Sequence, residues 1–160
     1  MSKQRVILSL LGAASLAVFA ASAPAQQRPD YGTPITTDQA KKVAAGVIAE
    51  CTSNKWNIAV AVTDTAGGLV YFERMENTQT ASLDIAVLKA RAASNYRRPT
   101  RAWADAIKKG GPAVMTLPGV VASPGGVPIF VEGKVIGAVG VSGVTGDQDE
   151  QCAKAGIAGL

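Results

Sequence analysis

The sequence predicts an α+β domain, a mainly antiparallel sheet flanked by helices, and three observations predict it. β-Branched runs come in two pairs, each joined by a glycine-containing turn. Apolar residues at helical spacing fill the stretches around them, and no strand-helix-strand unit repeats at the spacing of a parallel dinucleotide-binding sheet. The order is therefore helix, hairpin, helix, short helix, hairpin, helix. A length of 160 residues suits one domain, and 48% hydrophobic against 18% charged residues is far from the composition of a disordered chain.

Residues 1–25 read as a secretory signal peptide. Lys3 and Arg5 precede an apolar or small run from Val6 to Ala21, and Ala23-Pro24-Ala25 offers the small residues that signal peptidase accepts. The run falls short of the ~20 residues that span a bilayer, so a secreted or periplasmic product without stable membrane insertion is expected. Residues 26–35 read as a flexible lead-in, and residues 36–160 as the domain proper. Thr36-x-x-Gln39 has the form of a capping box, followed by Ala40, Val43, Ala44, Val47, Ile48 and Cys51 on one helix face, with Asn54 at its end. Asn57–Asp64 and Leu69–Met75 form the first hairpin across Ala66-Gly67-Gly68, with Asp64 as a turn residue. Residues 80–97 make the second helix, stopped ahead of Pro99. Thr100 caps a short third helix that Gly110-Gly111-Pro112 ends, and Val114–Ser123 is loop-like. Val127–Val131 and Val135–Val141 pair across Glu132-Gly133. Asp147-x-x-Glu150 caps a closing helix, which Gly156 weakens.

Composition removes several chemistries. The chain has no histidine, which excludes Ser-His and Cys-His nucleophile pairs, histidine-ligated metals and a histidine ligand to haem iron. No metal site is expected. Loss of Lys3 and Arg5 with the signal lowers the net charge from +4 to +2, too small a surplus for a nucleic-acid binder. In an oxidising compartment Cys51 and Cys152 could close a disulfide, or remain two buried thiols; both readings stand.

Three groups could carry chemistry. Ser123-Pro124-Gly125-Gly126-Val127-Pro128-Ile129 leaves backbone N–H groups bare at a strand entrance, as a ligand-receiving concavity or simply as a turn. Gly137, Gly140 and Gly143 imply close approach of a ligand or a packed helix, and their spacing is neither a dinucleotide fingerprint nor a nucleophile elbow at Ser142. Lys89, Arg91, Arg97, Arg98 and Arg101 gather around Tyr96 at the end of the second helix, either as a solvated face opposing the helix dipole or as partners for ligand carboxylates. If the ligand is haem, Tyr96 is the best candidate oxygen ligand within this cluster, with Met75 and Met115 as weaker donors; core packing or stacking is the other reading of Tyr96 and stands equally. An enzyme reading makes Lys89 or Asp149 a proton-transfer group.

In order and spacing, Val60-Ala61-Val62-Thr63-Asp64, Arg74-Met75, Lys89-Ala90 with Pro99-Thr100, Gly125-Gly126-Val127-Pro128-Ile129, Ile136 to Gly143 and Asp149-Glu150 resemble the HbpS/GlcG-like family over about residues 36–157. The resemblance implies a five-stranded, mainly antiparallel sheet flanked by helices, with Val114–Val121 as the fifth strand, assembled into homo-oligomers. It implies haem or tetrapyrrole binding for some members and no settled activity for GlcG-type members. The small-molecule pocket expected on this basis draws on Lys89, Tyr96, Arg97, Thr100, Gly125, Gly126, Pro128 and Ser142, with haem as the cofactor. Where the family commonly has a threonine and a phenylalanine after Lys89-Ala90, this chain has Ala92 and Tyr96.

Overall fold

In the computed structural model, which describes residues 27–160, the chain runs α1 (Thr37–Ser53), β1 (Ala59–Thr63), β2 (Leu69–Arg74), α2 (Ala81–Tyr96), α3 (Arg101–Lys108), a 3-10 turn (Pro112–Thr116), β3 (Gly126–Val131), β4 (Lys134–Ser142) and α4 (Gly146–Ala158). The signal-peptide reading falls on residues outside those described. The strands form one antiparallel sheet in the order β2-β1-β4-β3.

Among the described residues the sheet thus has four strands and not five. Val114–Val121 is no strand, because Pro112 starts a 3-10 turn and Pro118-Gly119 interrupts any ladder beyond it. The lead-in adds an isolated parallel bridge instead, Tyr31 with Val135. β4 begins before its pairing with β1 does, and the free edge takes Gly32 N–H and Ile35 N–H on the carbonyls of Val135 and Ile136. Tyr31 Oη donates to the carbonyls of Ser94 and Asn95, and Ile35 is buried. A segment that reads as flexible is therefore docked, through one apolar anchor and one phenol.

Strand alternation sorts the two faces. Val60, Val62, Val139 and Val141 point into a core shared with Val43 and Val47 of α1 and Ala153 of α4. Ala59 and Ala61 face Ala86 and Ala90 of α2. Only small residues stand there because α2 lies so close: a Cβ on Gly140 would collide with the Ala86 carbonyl. The helix, and no ligand, accounts for that glycine. Gly156 works similarly in α4, where its Cα would sit 2.9 Å from a Cβ at Gly46 of α1. The Cys51–Cys152 disulfide joins the same two helices, with Cα atoms 5.8 Å apart.

Caps followed the sequence at one end and departed at the other. The Thr36/Gln39 box caps α1, but α4 is capped by Thr145 with Gln148, which leaves Asp147 and Glu150 free to bind Arg101. Thr100 does not cap α3: it is buried in helical geometry, and its hydroxyl bonds the Ser123 carbonyl and the Gly126 N–H. Among the described residues, no helix is long and apolar enough to cross a membrane.

Candidate functional site

The α2 helix carries lysine on its sheet-facing stripe. Lys89 follows Ala86 by three residues and precedes Ala90, and with only 1% of its surface exposed its ammonium must find partners inside. They are Asp149 Oδ2 at 2.7 Å and the Val141 carbonyl at 3.0 Å. Asp149, 2% exposed, also accepts from Val144 N–H. Burial pushes the Asp149 carboxyl above its ordinary value, opposed by Lys89 and by the Val144 and Gly143 amides. This ion pair welds α2, β4 and α4.

The glycine loop closes over the weld. A Cβ at Gly125 would lie 2.7 Å from the Val141 carbonyl, 2.8 Å from Asp149 Cβ and 3.0 Å from Lys89 Nζ, and Gly125 holds φ +117°. A Cβ at Gly126 would meet the Lys89 carbonyl and, at 2.6 Å, Thr100 Cγ2. What the bare backbone receives is the protein's own α2, so the hollow expected between loop and helix is filled. Ser142 is buried against the Ser82 hydroxyl at 3.1 Å, and Pro128 lies buried in β3 opposite Ala138. The structure thus brings Lys89, Thr100, Gly125 and Gly126 together as one packed junction, with Pro128 and Ser142 on strands beside it.

Tyr96 and Arg97 belong to a different place, the corner where α2 turns into α3. Arg97 adopts left-handed geometry at the end of α2, with φ 52° and ψ 43°, and Pro99 follows. Arg97 Nη1 donates to the Pro29 carbonyl at 2.9 Å and its guanidinium covers the Tyr31 ring at 4.9 Å. Arg97 therefore clamps the lead-in. Tyr96 meets Trp103 edge to face, ring centroids 5.1 Å apart, and its hydroxyl donates to the Pro118 carbonyl at 2.7 Å. Over the Trp103 ring, at 5.7 Å, sits Arg98. Its buried Nε has no hydrogen-bond partner.

The other cations of the cluster are committed. Lys89 is spent on Asp149, Arg91 on the Gly67 carbonyl, and Arg101 on Asp147 and Glu150. Arg101 holds the exposed Asp147 carboxyl below its ordinary range by hydrogen bonding and charge. Arg101 also borders an open hollow of about 280 Å³ with Lys108, Ser123, Pro124 and Gly146. A second hollow of about 340 Å³ lies between the lead-in, Gln39 and the β3-β4 turn, and none of the cluster's cations lines it. Both are at or below the low end of ligand pockets, which hold roughly 300–1,000 Å³.

For a haem-like guest the residues fit the acid edge and not the iron. Arg98 offers an unspent donor for a carboxylate. Tyr96 has its hydroxyl on Pro118, Met75 packs against the core, and Met115 is an exposed thioether on the 3-10 turn. Sequence reasoning named Arg98 only as one of five cations and missed Trp103 as its platform. The pairing of Lys89 with Asp149 was legible in principle, because a lysine on an apolar helix stripe demands a buried carboxylate.

A family model described as "Haem degrading protein HbpS-like" matches residues 35–158. The protein GlcG of Escherichia coli (strain K12) is 39% identical over 106 residues, covering 64% of this chain and 79% of GlcG. The crystal structure of a double mutant of HbpS from Streptomyces reticuli superimposes with a TM-score of 0.75 at 30% identity, covering 88% of this chain and 98% of that one. A PduOC:heme complex shares the fold, with a TM-score of 0.73 at 22% identity over 80% of this chain and 96% of that one.

Proposed function

The chain belongs to the HbpS-like family, and on that premise we propose that it is a secreted or periplasmic binding protein for haem or a related planar anionic ligand, serving haem sensing, storage or handling. The observation that carries the reading is the α2-α3 corner, where an arginine whose buried Nε has no hydrogen-bond partner lies on a buried indole. A carboxylate reaching Arg98 Nε gains a charge-assisted hydrogen bond that no group among the described residues supplies. Lys89, Thr100, Gly125, Gly126, Pro128 and Ser142 act in this reading as the wall that fixes α2, while Tyr96 and Arg97 fix the corner's two flanks. Delivery outside the cytoplasm rests on the Lys3/Arg5 and Ala23-Pro24-Ala25 pattern.

Assembly into homo-oligomers is part of the same proposal. Leu88 on α2 and Phe130 on the edge strand β3 are exposed apolar residues that a second copy would cover. The alternative, a GlcG-type small-molecule enzyme using Lys89 or Asp149 for proton transfer, requires those groups to reach a substrate, and both are enclosed and bonded to each other.

Titration of the purified mature protein with haemin tests the proposal. A saturable shift of the Soret band is expected; a linear, unsaturable change like that of haemin alone removes haem as the ligand.

A further inference from the structure

The segment from Gly110 to Gly119 is built unlike the rest of the domain. Pro112–Thr116 is a 3-10 turn with no buried residue, and it displays Met115 at 51% and Leu117 at 45% exposure. Apolar side chains on a short, weakly packed turn cost free energy in water unless something covers them. At both ends stand glycines in left-handed geometry, Gly110 at φ +85° and Gly119 at φ +73°, and neither has any atom within 4 Å of where a Cβ would be. Such positions absorb backbone rotation without collision. The side-chain bond that ties the segment's return limb to α2 is Tyr96 Oη to the Pro118 carbonyl.

Tyr96 is also the residue that touches Trp103, and Trp103 is the platform beneath Arg98. The tether, the indole and the guanidinium with its unpartnered Nε are therefore one cluster. A buried donor without an acceptor is a standing cost that a ligand oxygen can relieve. Arg98 is half-buried with its Nε fully so, and its guanidinium carbon lies 5.7 Å from the centre of the Trp103 ring, so the group is already desolvated in part.

We infer that Arg98 is the carboxylate receptor of this site and that Pro112–Pro118 is an apolar flap, turning on Gly110 and Gly119, that closes over the planar body of the guest. The inference rests on the binding proposal above and adds to it the receptor and the cover. The guest is a flat apolar molecule bearing at least one carboxylate. The acid binds to Arg98 and the ring system lies against Met115 and Leu117. Iron is not needed for this contact.

Metal-free protoporphyrin IX and its dimethyl ester, which lacks free carboxylates, are the probes. Binding is read from porphyrin fluorescence and from the emission of Trp103 in a Trp56→Phe background. The wild-type chain binds the diacid roughly tenfold or more tightly than the diester, the ratio expected for one hydrogen bond to a charged group. Arg98→Gln loses that preference and Arg98→Lys keeps part of it. Gly119→Ala, strained at φ +73°, slows association of the diacid without touching Arg98. Circular dichroism and thermal melting confirm that each variant is folded, and the lysine and alanine variants carry the test if Arg98→Gln is not. Binding by the wild type with equal preference for diacid and diester, or with Trp103 emission and the Arg98→Lys affinity unchanged, overturns the Arg98 assignment and leaves the binding proposal standing. An unaltered association rate in Gly119→Ala overturns the flap. Failure of wild type to bind either porphyrin or haemin overturns both proposals together.

Discussion

Replacing Lys89 by methionine removes one half of the buried ion pair while keeping most of the stem's volume. In the wild type the ammonium bridges Asp149 Oδ2 at 2.7 Å and the Val141 carbonyl at 3.0 Å, with both side chains 2% exposed. The variant leaves a carboxylate and a carbonyl in a dry junction, for which the expected loss is about 3–5 kcal/mol. That is a large part of the ~5–15 kcal/mol that holds a domain together. At roughly 3–5 °C per kcal/mol for a domain of this size, melting falls by about 10–25 °C. The pH dependence carries a sign. Asp149 is already raised by burial, and loss of Lys89 raises it further. A carboxyl whose folded value exceeds its unfolded value penalises folding fully above the folded value and not at all below the unfolded one. Lowering the pH toward about 4 therefore restores part of the stability of Lys89→Met, against the usual acid trend. Urea denaturation followed by circular dichroism at several pH values measures this, and Lys89→Met/Asp149→Leu is expected to recover much of the loss. A single-variant loss below about 1 kcal/mol with an unchanged m-value would show that the pair is not the weld described here.

Other perturbations have equally definite outcomes. Arg101→Ala strips Glu150 of a partner and costs about 1–3 kcal/mol by chemical denaturation. In the same variant Asp147 returns to the ordinary carboxylate range in a carboxyl-carbon NMR titration, whereas in the wild type its contribution holds above the unfolded value and fades as pH falls through the depressed one. Reduction of Cys51–Cys152, or Cys51→Ala/Cys152→Ala, lowers stability by about 2–5 kcal/mol, and intact-mass measurement before and after reduction reports the bond. Gly140→Ala forces α2 off the sheet at Ala86, costing about 1–3 kcal/mol or more, visible as a lowered melting temperature.

Most of the secondary structure was legible because it rests on local chemistry. The Thr36/Gln39 box, the turn at Glu132 and Gly133 with φ 50° and 74°, and the alternating valines each declare themselves within a few residues. What was hidden depends on tertiary partners. Asp147 and Glu150 have the spacing of a capping box, but Thr145 takes the cap and Arg101, 46 and 49 residues away, takes the acids. The docked lead-in depends on an edge of β4 that exists only once β1 stops pairing. Gly125 and Gly126 read as a ligand-receiving concavity or as a turn, and what approaches them is helix α2, which no local pattern distinguishes from a ligand. The cationic cluster is visible in the sequence as a group, and only the fold shows which arginine buries an Nε without a partner.

The proposed planar acid binds at the α2-α3 corner rather than at the glycine loop. Amide and indole NMR of the folded protein, recorded with and without protoporphyrin IX, tests it most directly. Perturbation of the Trp103 indole N–H, the Arg98 side chain and residues 113–117 is expected, with the amides of Gly125, Gly126 and Ser142 unmoved. Perturbation centred on Gly125 and Gly126 with the Trp103 indole unchanged would contradict it.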